Sequence, residues 1–211
     1  CESIERLGYP VAYLPVDNEG IVSPDILSSF ITDETRLVSV MLVNNEIGTI
    51  EPISELAKVA HSHGAVFHTD AVQAVGHIAI NVKELGVDML SASAHKFNGP
   101  KGIGFIYIKS GTKIYPYADG GAQEHGMRAG TENIASIVGM AAALKKNCDH
   151  MDQTQNKLHQ LEDKFLDVLK LSGIDFIRNG SANHIPGNVN VSIRNASGEM
   201  LLHRLDLKGI A

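Results

Sequence analysis

The sequence predicts an α/β fold in which a mostly parallel sheet is flanked by helices, followed by the start of a smaller α+β domain. The first observation is that short apolar runs alternate with helix-compatible segments, as they do in βαβ units. The second is the run RLVSVMLV at 36–43, whose nearly continuous apolar character is typical of a strand buried on both faces. The third is a change after residue 172 to short strands and a single helix.

Local signals place the first elements. The first residues are expected to belong to a helix, and residues 11–16 are expected to form a short strand. Ser23 followed by Pro24 predicts a helix start, because serine caps the first turn and proline fits its first position. A further helix is predicted over 53–63, with Gly64 as its C-cap.

The later elements follow the same alternation. We predict strands at 65–69, 88–92, 104–108, 176–177 and 188–193. A helical turn is expected at 82–85, and a helix from about residue 198. Residues 132–171 are helix-compatible almost throughout, which is too long for one helix in a domain, so a break is expected near 149–153. We therefore predict a large domain at 1–150 and the start of a small domain at 151–211.

Composition excludes several classes of partner. The net charge is −6 and no basic run occurs, so neither nucleic acid nor an anionic membrane surface is an expected partner. No apolar stretch approaches the roughly 20 residues of a membrane-spanning helix. Cys1 and Cys148 form no CxxC pair or disulfide framework, which favours a cytoplasmic location.

Polar clusters follow three of the predicted strands. They are Asn44–Gly48, Asp70–Gln73 and Ser93–Lys96. In parallel α/β sheets, ligands bind at the carboxyl ends of the strands. We therefore expect the three clusters to meet in one crevice.

The side chains in these clusters suit pyridoxal phosphate. A lysine amine can bond to the aldehyde, and a carboxylate opposite the ring nitrogen keeps that nitrogen protonated. Amides can hold the phenolic oxygen, while a hydroxyl and an imidazole can hold the phosphate. A lysine in a partly dry crevice would also be a better nucleophile, because desolvation disfavours its charged form.

Four motifs, in this order and spacing, resemble the NifS-like cysteine desulfurases, with selenocysteine lyase as a close relative. They are VNNEIGTIEPI, HTDAVQAVG, SASAHKFNGPKGIG and GGAQEHGMRAGTENI. The resemblance implies a fold type I pyridoxal phosphate enzyme of the class V aminotransferase group, here an incomplete large domain, that acts as a homodimer. It further implies L-cysteine as the substrate and a sulfur-acceptor or iron–sulfur scaffold protein as a partner.

The resemblance also implies residue roles. Lys96 resembles the Schiff-base lysine and Asp70 the partner of the ring nitrogen, and with His95 they form the expected catalytic set. The remaining cofactor contacts that it implies are Asn45, Gln73, Ser93 and Thr131, the last reaching the phosphate of the neighbouring subunit. One departure occurs at Ala122, where the family usually has a third glycine before Gln123-Glu124.

By the same resemblance, the sequence is an internal segment of the family's chain. The glycine-rich phosphate turn and the ring-stacking histidine are expected before Cys1. The catalytic cysteine and the substrate-binding arginine are expected after Ala211. We therefore expect the 211 residues alone to be inactive and to hold the cofactor weakly.

Plainer interpretations stay open at this point. Lys96 could be a surface lysine and Asp70 a helix cap, and Ser93 with His95 could be satisfied polar groups of the core. Thr131 could cap the long helix that follows it.

Other functions are also weighed against the desulfurase. The protein could be another class V enzyme, or a non-catalytic scaffold that retains the motifs. Of the residues near 61–70, only His68 and Asp70 share a strand face, which is too few for a metal, so no metal site is predicted.

Overall fold

The structure is a computed structural model that describes residues 1–210. Its six strands are β1 Leu37–Met41, β2 Val66–Asp70, β3 Met89–Ser93, β4 Gly104–Ile108, β5 Phe176–Arg178 and β6 Val191–Ile193. Its α-helices are α1 Glu2–Arg6, α2 Pro24–Phe30, α3 Ile53–Ser62, α4 Val82–Leu85, α5 Ile134–Asp149, α6 Met151–Leu171 and α7 Gly198–Asp206. Two 3₁₀ helices, Ala94–Phe97 and Gln123–Gly126, complete the regular structure of these residues.

The first four strands form one sheet in the order β1-β2-β3-β4. Strands β1, β2 and β3 run parallel, and β4 is antiparallel to β3. The prediction of a mostly parallel sheet is therefore confirmed. Because three neighbouring strands run in the same direction, their carboxyl ends lie at one edge of the sheet.

The core lies on the face of the sheet against which α3 packs. Val38 and Val40 of β1 and Phe67 of β2 point into it and are buried. Leu56 and Ala60 of α3 share one helix face and are fully buried as well. Each large apolar side chain buried in this way contributes about 1.5–3 kcal/mol to the free energy of unfolding.

Two features of the first strands differ from the expectation. In β1 the side chains alternate, with Val38 buried and Leu37 48% exposed, so the prediction of burial on both faces is wrong. The apolar run therefore belongs to a strand that has one packed face and one open face. The predicted strand at 11–16 is also wrong, because that segment has no regular secondary structure and pairs with no strand of residues 1–210. A strand needs a neighbouring strand to pair with its backbone N–H and C=O groups. Residues 11–16 have no such neighbour, and Tyr13 among them is 59% exposed.

The helix boundaries follow the local signals. Ser23 Oγ accepts the Ile26 amide at 3.2 Å, as an N-cap should. Helix α3 ends at Ser62, and Gly64 follows with a φ of +74°, a conformation that glycine adopts without strain. The expected break in the long helical region lies at His150, between α5 and α6.

The last part of the chain carries a second sheet, in which β5 and β6 are antiparallel. It is tied to α6 through the buried Glu162, whose Oε1 lies 2.6 Å from Arg178 Nη2 and 2.8 Å from His184 Nε2. The Ser181 amide also donates to Thr49 Oγ1 at 3.0 Å, which links this part to the loop after β1. The division into domains at residue 150 stays a prediction.

No helix among residues 1–210 has both the length and the apolar character needed to cross a membrane.

Candidate active site

The carboxyl ends of β1, β2 and β3 are held side by side by backbone hydrogen bonds. The Leu42 amide donates to the Asp70 carbonyl at 2.8 Å, and the Ala71 amide donates to the Ser91 carbonyl at 2.9 Å. Neighbouring strands lie about 4.8 Å apart. The polar clusters that follow the three strands therefore share one edge of the sheet, as the sequence predicted.

Asp70 is half-buried at the end of β2. Its Oδ1 accepts the Val72 amide at 2.9 Å, so it does cap the turn that follows the strand. Its Oδ2 has no donor within residues 1–210 and stays available to a ligand. Capping and ligand binding are therefore compatible at this carboxylate.

His68 lies two residues before Asp70 on the same face of β2. Its Nδ1 lies 2.8 Å from Ser39 Oγ and its Nε2 lies 3.2 Å from Ser91 Oγ, so both ring nitrogens are engaged across the sheet. Burial lowers the pKa of His68, and the charge of Asp70 offsets this only in part. The imidazole is therefore held neutral, and it does not form an ion pair that would neutralise Asp70.

Ser93 and His95 form a pair at the end of β3, with Ser93 Oγ 2.8 Å from His95 Nδ1. His95 is exposed and Ser93 is half-buried. Their interpretation as satisfied core residues is therefore wrong. A hydroxyl and an imidazole side by side at a strand end are suitable donors for a phosphate.

Lys96 lies on the 3₁₀ helix Ala94–Phe97, which we call the lysine turn. Ala94 and Phe97 are fully buried, so the turn is anchored on both sides while Lys96 is exposed between them. The lysine forms no ion pair with residues 1–210. The dry crevice expected around it is not formed by these residues, because its side chain reaches solvent.

The small residues of this motif have a steric explanation. A Cβ on Gly99 would lie 2.9 Å from the Ala94 carbonyl oxygen, and one on Gly104 would overlap the Ala92 carbonyl oxygen. Both glycines therefore allow the chain to fold back onto β3 and the lysine turn. The glycine-rich sequence shapes the support of Lys96.

The amide residues lie in the loops beside these groups. Asn45 Nδ2 donates to Glu46 Oε1 at 2.9 Å in the loop after β1. Gln73 is half-buried in the turn after β2. Two asparagines of the second sheet region hold the loop that carries Asn45, since Asn188 Nδ2 donates to the Asn45 carbonyl at 3.4 Å and Asn190 Nδ2 to the Glu46 carbonyl at 3.2 Å.

Thr131 is exposed in the segment before α5. The interpretation that it caps this helix is wrong, because Asn133 Oδ1 accepts the Ser136 amide at 3.2 Å and is the cap. Its predicted reach to the cofactor phosphate of a second subunit stays a prediction.

Sequence reasoning missed four side chains that support the site: His77, Asn147, Asn188 and Asn190. They bind backbone carbonyls of site residues that lie 19 to 144 positions away in the chain. The only sequence signal for any of them was the amide-rich pattern Asn188-Val-Asn190, which would place two amides on one face of the predicted strand 188–193.

The donor set fits pyridoxal phosphate by its chemistry. Within residues 1–210, a carboxylate with a free oxygen, a hydroxyl–imidazole pair and a lysine amine without an ion-pair partner occur together at the edge of the parallel strands. Those are the groups that would hold the ring nitrogen, the phosphate and the aldehyde carbon of that cofactor. The fold and the donor set are therefore those expected of a fold type I pyridoxal phosphate protein.

Comparison with known proteins gives a more specific family than the cofactor class. The family model for aminotransferase class V matches residues 1–211, and the chain belongs to that family. It is 50% identical over 211 residues to the cysteine desulfurase IscS of Dictyoglomus turgidum, with all of this chain and 54% of the relative covered. It is 47% identical over 213 residues to the cysteine desulfurase IscS of Clostridium botulinum, with 100% and 54% covered.

The fold comparison agrees with the sequence comparison. A solved structure of a NifS-like protein superposes with a TM-score of 0.92 at 34% identity, covering 99% of this chain and 57% of that one. The predicted fold and the resemblance to NifS-like proteins are thereby confirmed. The chain spans about half the length of the curated relatives it matches.

Proposed function

We propose that the protein carrying this chain is a pyridoxal phosphate-dependent cysteine desulfurase, which converts L-cysteine to L-alanine and transfers the sulfur to an enzyme thiol as a persulfide. The observation that carries the proposal is the grouping of Asp70, the Ser93–His95 pair and Lys96 at one sheet edge. The relatives with 47–50% identity, which are cysteine desulfurases, support the choice of reaction.

When bound, the cofactor supplies an electron sink conjugated to the α-carbon of the substrate. Asp70 Oδ2 holds the proton on the ring nitrogen, since an ionised carboxylate favours a protonated partner. Ser93 Oγ and His95 donate to the phosphate oxygens. Lys96 Nζ is the amine that would hold the cofactor through its aldehyde carbon.

The side chains around Asp70 preserve its charge for this role. His68 is engaged by two serine hydroxyls and its pKa is lowered by burial, so it stays neutral at pH 7. A cationic imidazole at this position would stabilise Asp70 without help from the ring nitrogen. The neutral form leaves the protonated ring as the main positive partner of Asp70.

The partners in this proposal follow from the same role. The protein acts as a homodimer in which Thr131 of one subunit contacts the phosphate bound to the other. The persulfide sulfur passes to an acceptor protein for iron–sulfur clusters or other sulfur-containing cofactors. A cytoplasmic location suits a reactive persulfide, because that compartment is reducing.

Borohydride reduction followed by peptide mass mapping tests the assignment. With pyridoxal phosphate added to the full-length protein, the pyridoxyl group is expected on Lys96. Lys101 is the internal control, because it lies five positions away in the same glycine-rich motif and is also exposed. A label on Lys101, or spread evenly over many lysines, would contradict the proposal.

A substrate test separates the desulfurase from its alternatives. Without a reductant, one enzyme persulfide is expected for each alanine formed from L-cysteine; with dithiothreitol added to reduce that persulfide, alanine and sulfide are expected in equal amounts. Turnover of selenocysteine alone would point to a lyase of the same family. Specific labelling of Lys96 without turnover of either amino acid would indicate a module that binds the cofactor without catalysing the reaction.

A further inference from the structure

The backbone of the lysine turn is held by two side chains from outside it. His77, in the turn after β2, donates from Nε2 to the Lys96 carbonyl at 2.8 Å. Asn147, on α5, donates from Nδ2 to the carbonyl of the next residue, Phe97. Two successive carbonyls at the end of the lysine turn therefore receive side-chain donors.

The acceptor fixes the tautomer of His77. A backbone carbonyl can only accept, so the proton must be on Nε2. The position of this histidine is fixed in turn, because Gln155 of α6 donates from Nε2 to the His77 carbonyl at 2.6 Å. Asn147 is likewise fixed by a second bond, from its Nδ2 to the Ala143 carbonyl at 3.1 Å.

Close packing brings the donors into place. Gly76 has a φ of +81°, and a Cβ at this position would lie 2.8 Å from Phe97 Cβ. The turn after β2 therefore approaches the lysine turn more closely than any residue other than glycine would allow. His77 is the next residue, so this approach places its imidazole at the Lys96 carbonyl.

The lysine turn needs such support. A 3₁₀ helix of four residues has few internal hydrogen bonds, and its last carbonyls have no partners of their own. The direction in which Lys96 Nζ leaves the turn depends on the backbone at Lys96. A displacement of about 1 Å at a reacting group can cost two orders of magnitude in rate.

We propose that His77 and Asn147 are positioning residues for Lys96, which hold its backbone so that Nζ points to the cofactor. This inference rests on the proposed role of Lys96 as the residue that binds the cofactor. In this proposal α5 helps to position Lys96 through Asn147, and α6 does so through Gln155, which holds His77.

The test is the partition of the pyridoxyl label between Lys96 and Lys101 in the full-length protein, at limiting cofactor, after borohydride reduction. His77→Leu keeps a side chain of similar size but removes the donor, and the ratio of label on Lys96 to that on Lys101 is expected to fall about fivefold, the effect of one hydrogen bond. His77→Gln returns an amide donor at a similar reach and is expected to stay within about twofold of the wild type. His203→Leu, at an exposed histidine of α7, is the matched control and should leave the ratio unchanged.

The results of this test distinguish a failure of the proposed function from a failure of the positioning role. If the wild type shows no preference for Lys96, the proposed function fails. If the wild type labels Lys96 and His77→Leu keeps the same ratio, the positioning role fails while the proposed function stands. A role limited to stability would lower the melting temperature in His77→Leu without changing the ratio, and it too would overturn the inference.

Two further measurements guard against misfolding of one variant. Asn147→Leu removes the other donor and is expected to lower the ratio in the same direction. In the wild type, nitrogen NMR of the imidazole should show His77 with its proton on Nε2, with or without cofactor. A His77 ring protonated only on Nδ1 would exclude the bond to Lys96 and refute the proposal.

Discussion

Two aspartates at opposite edges of the same sheet show how differently a structural and a functional carboxylate are surrounded. Asp88, just before β3 at the amino edge, has both oxygens in use: Oδ2 accepts the Phe67 amide at 2.9 Å and lies 2.7 Å from His61 Nε2, and Oδ1 lies 3.5 Å from Lys109 Nζ. Asp70 at the carboxyl edge accepts one amide, that of Val72. The residues around Asp88 satisfy its charge, whereas those around Asp70 leave an oxygen open.

The electrostatics of Asp88 follow from its partners. Burial alone would raise the pKa of this carboxyl, but the Phe67 amide, the His61 hydrogen bond and the charges of His61 and Lys109 together hold the pKa below its usual value. Its charged form is therefore stabilised by the folded chain itself. At Asp70, in the proposed function, the stabilising partner is the ring nitrogen of the cofactor.

The sharpest test of the contrast is Asp70→Ala. In the full-length protein this change is expected to lower kcat for L-cysteine by at least about a hundredfold, because the ring nitrogen loses the group that keeps it protonated. The melting temperature should change little, since only the Val72 cap is lost. Steady-state alanine formation and a thermal melt measure the two effects.

The matched control is Asp88→Ala, which should show the opposite pattern. Wild-type turnover in Asp70→Ala would mean that Asp70 is only a cap and that the contrast between the two edges has no functional content.

Asp88→Ala itself is expected to cost about 2–3 kcal/mol in the free energy of unfolding. The side chain of Asp88 is only 13% exposed, and its removal leaves the Phe67 amide and His61 without their acceptor. Urea unfolding of the wild type and the variant gives the difference. A larger loss of stability in Asp70→Ala than in Asp88→Ala would reverse the assignment of the two edges.

A pH series distinguishes the charge of Asp88 from its packing. Because its pKa is lower in the folded state, its contribution is fully present above the unfolded pKa, near 4, and is lost as the pH falls through the folded pKa. The stability gap between the wild type and Asp88→Asn should therefore be widest near pH 6–7 and narrow towards pH 3. A gap that stays constant over this range would show that shape, and not charge, makes the contribution.

Local signals in the sequence were enough for most of the fold. Ser23 before Pro24 and Gly64 after an amphipathic segment mark helix ends by chemistry that acts within a few residues. The error at 11–16 has a different origin, because an extended apolar segment becomes a strand only where a partner pairs with it. Leu37 shows the same limit, since a run of apolar residues does not reveal which face of a strand will be covered.

The candidate site divides in the same way. Asp70, Ser93, His95 and Lys96 could be found because each follows a predicted strand and parallel strands end at one edge. His77 could not be found, because the side chain belongs to one loop and its acceptor to another, and only the folded backbone brings them together. Groups that meet through strand order were therefore predictable, and groups that meet through loop packing were not.

The smallest expected effect concerns Lys109, the outermost partner of Asp88. Its side chain is 53% exposed and Nζ lies 3.5 Å from Oδ1, compared with 2.7 Å for the bond to His61. An exposed ion pair of this kind contributes about 0.2–1 kcal/mol, and salt screens it. Lys109→Gln should therefore lower the free energy of unfolding by less than about 1 kcal/mol, and the loss should shrink further in 1 M NaCl.

The same salt should hardly affect the loss caused by Asp88→Ala, because the Phe67 amide and His61 bind the carboxylate directly and it is mostly buried. Urea unfolding of both variants with and without salt measures this difference. A loss in Lys109→Gln as large as that in Asp88→Ala would mean that the long-range charge, and not the close hydrogen bonds, holds Asp88 in its structural role. The contrast with Asp70 would then lie in the nearby charge and not in the number of donors.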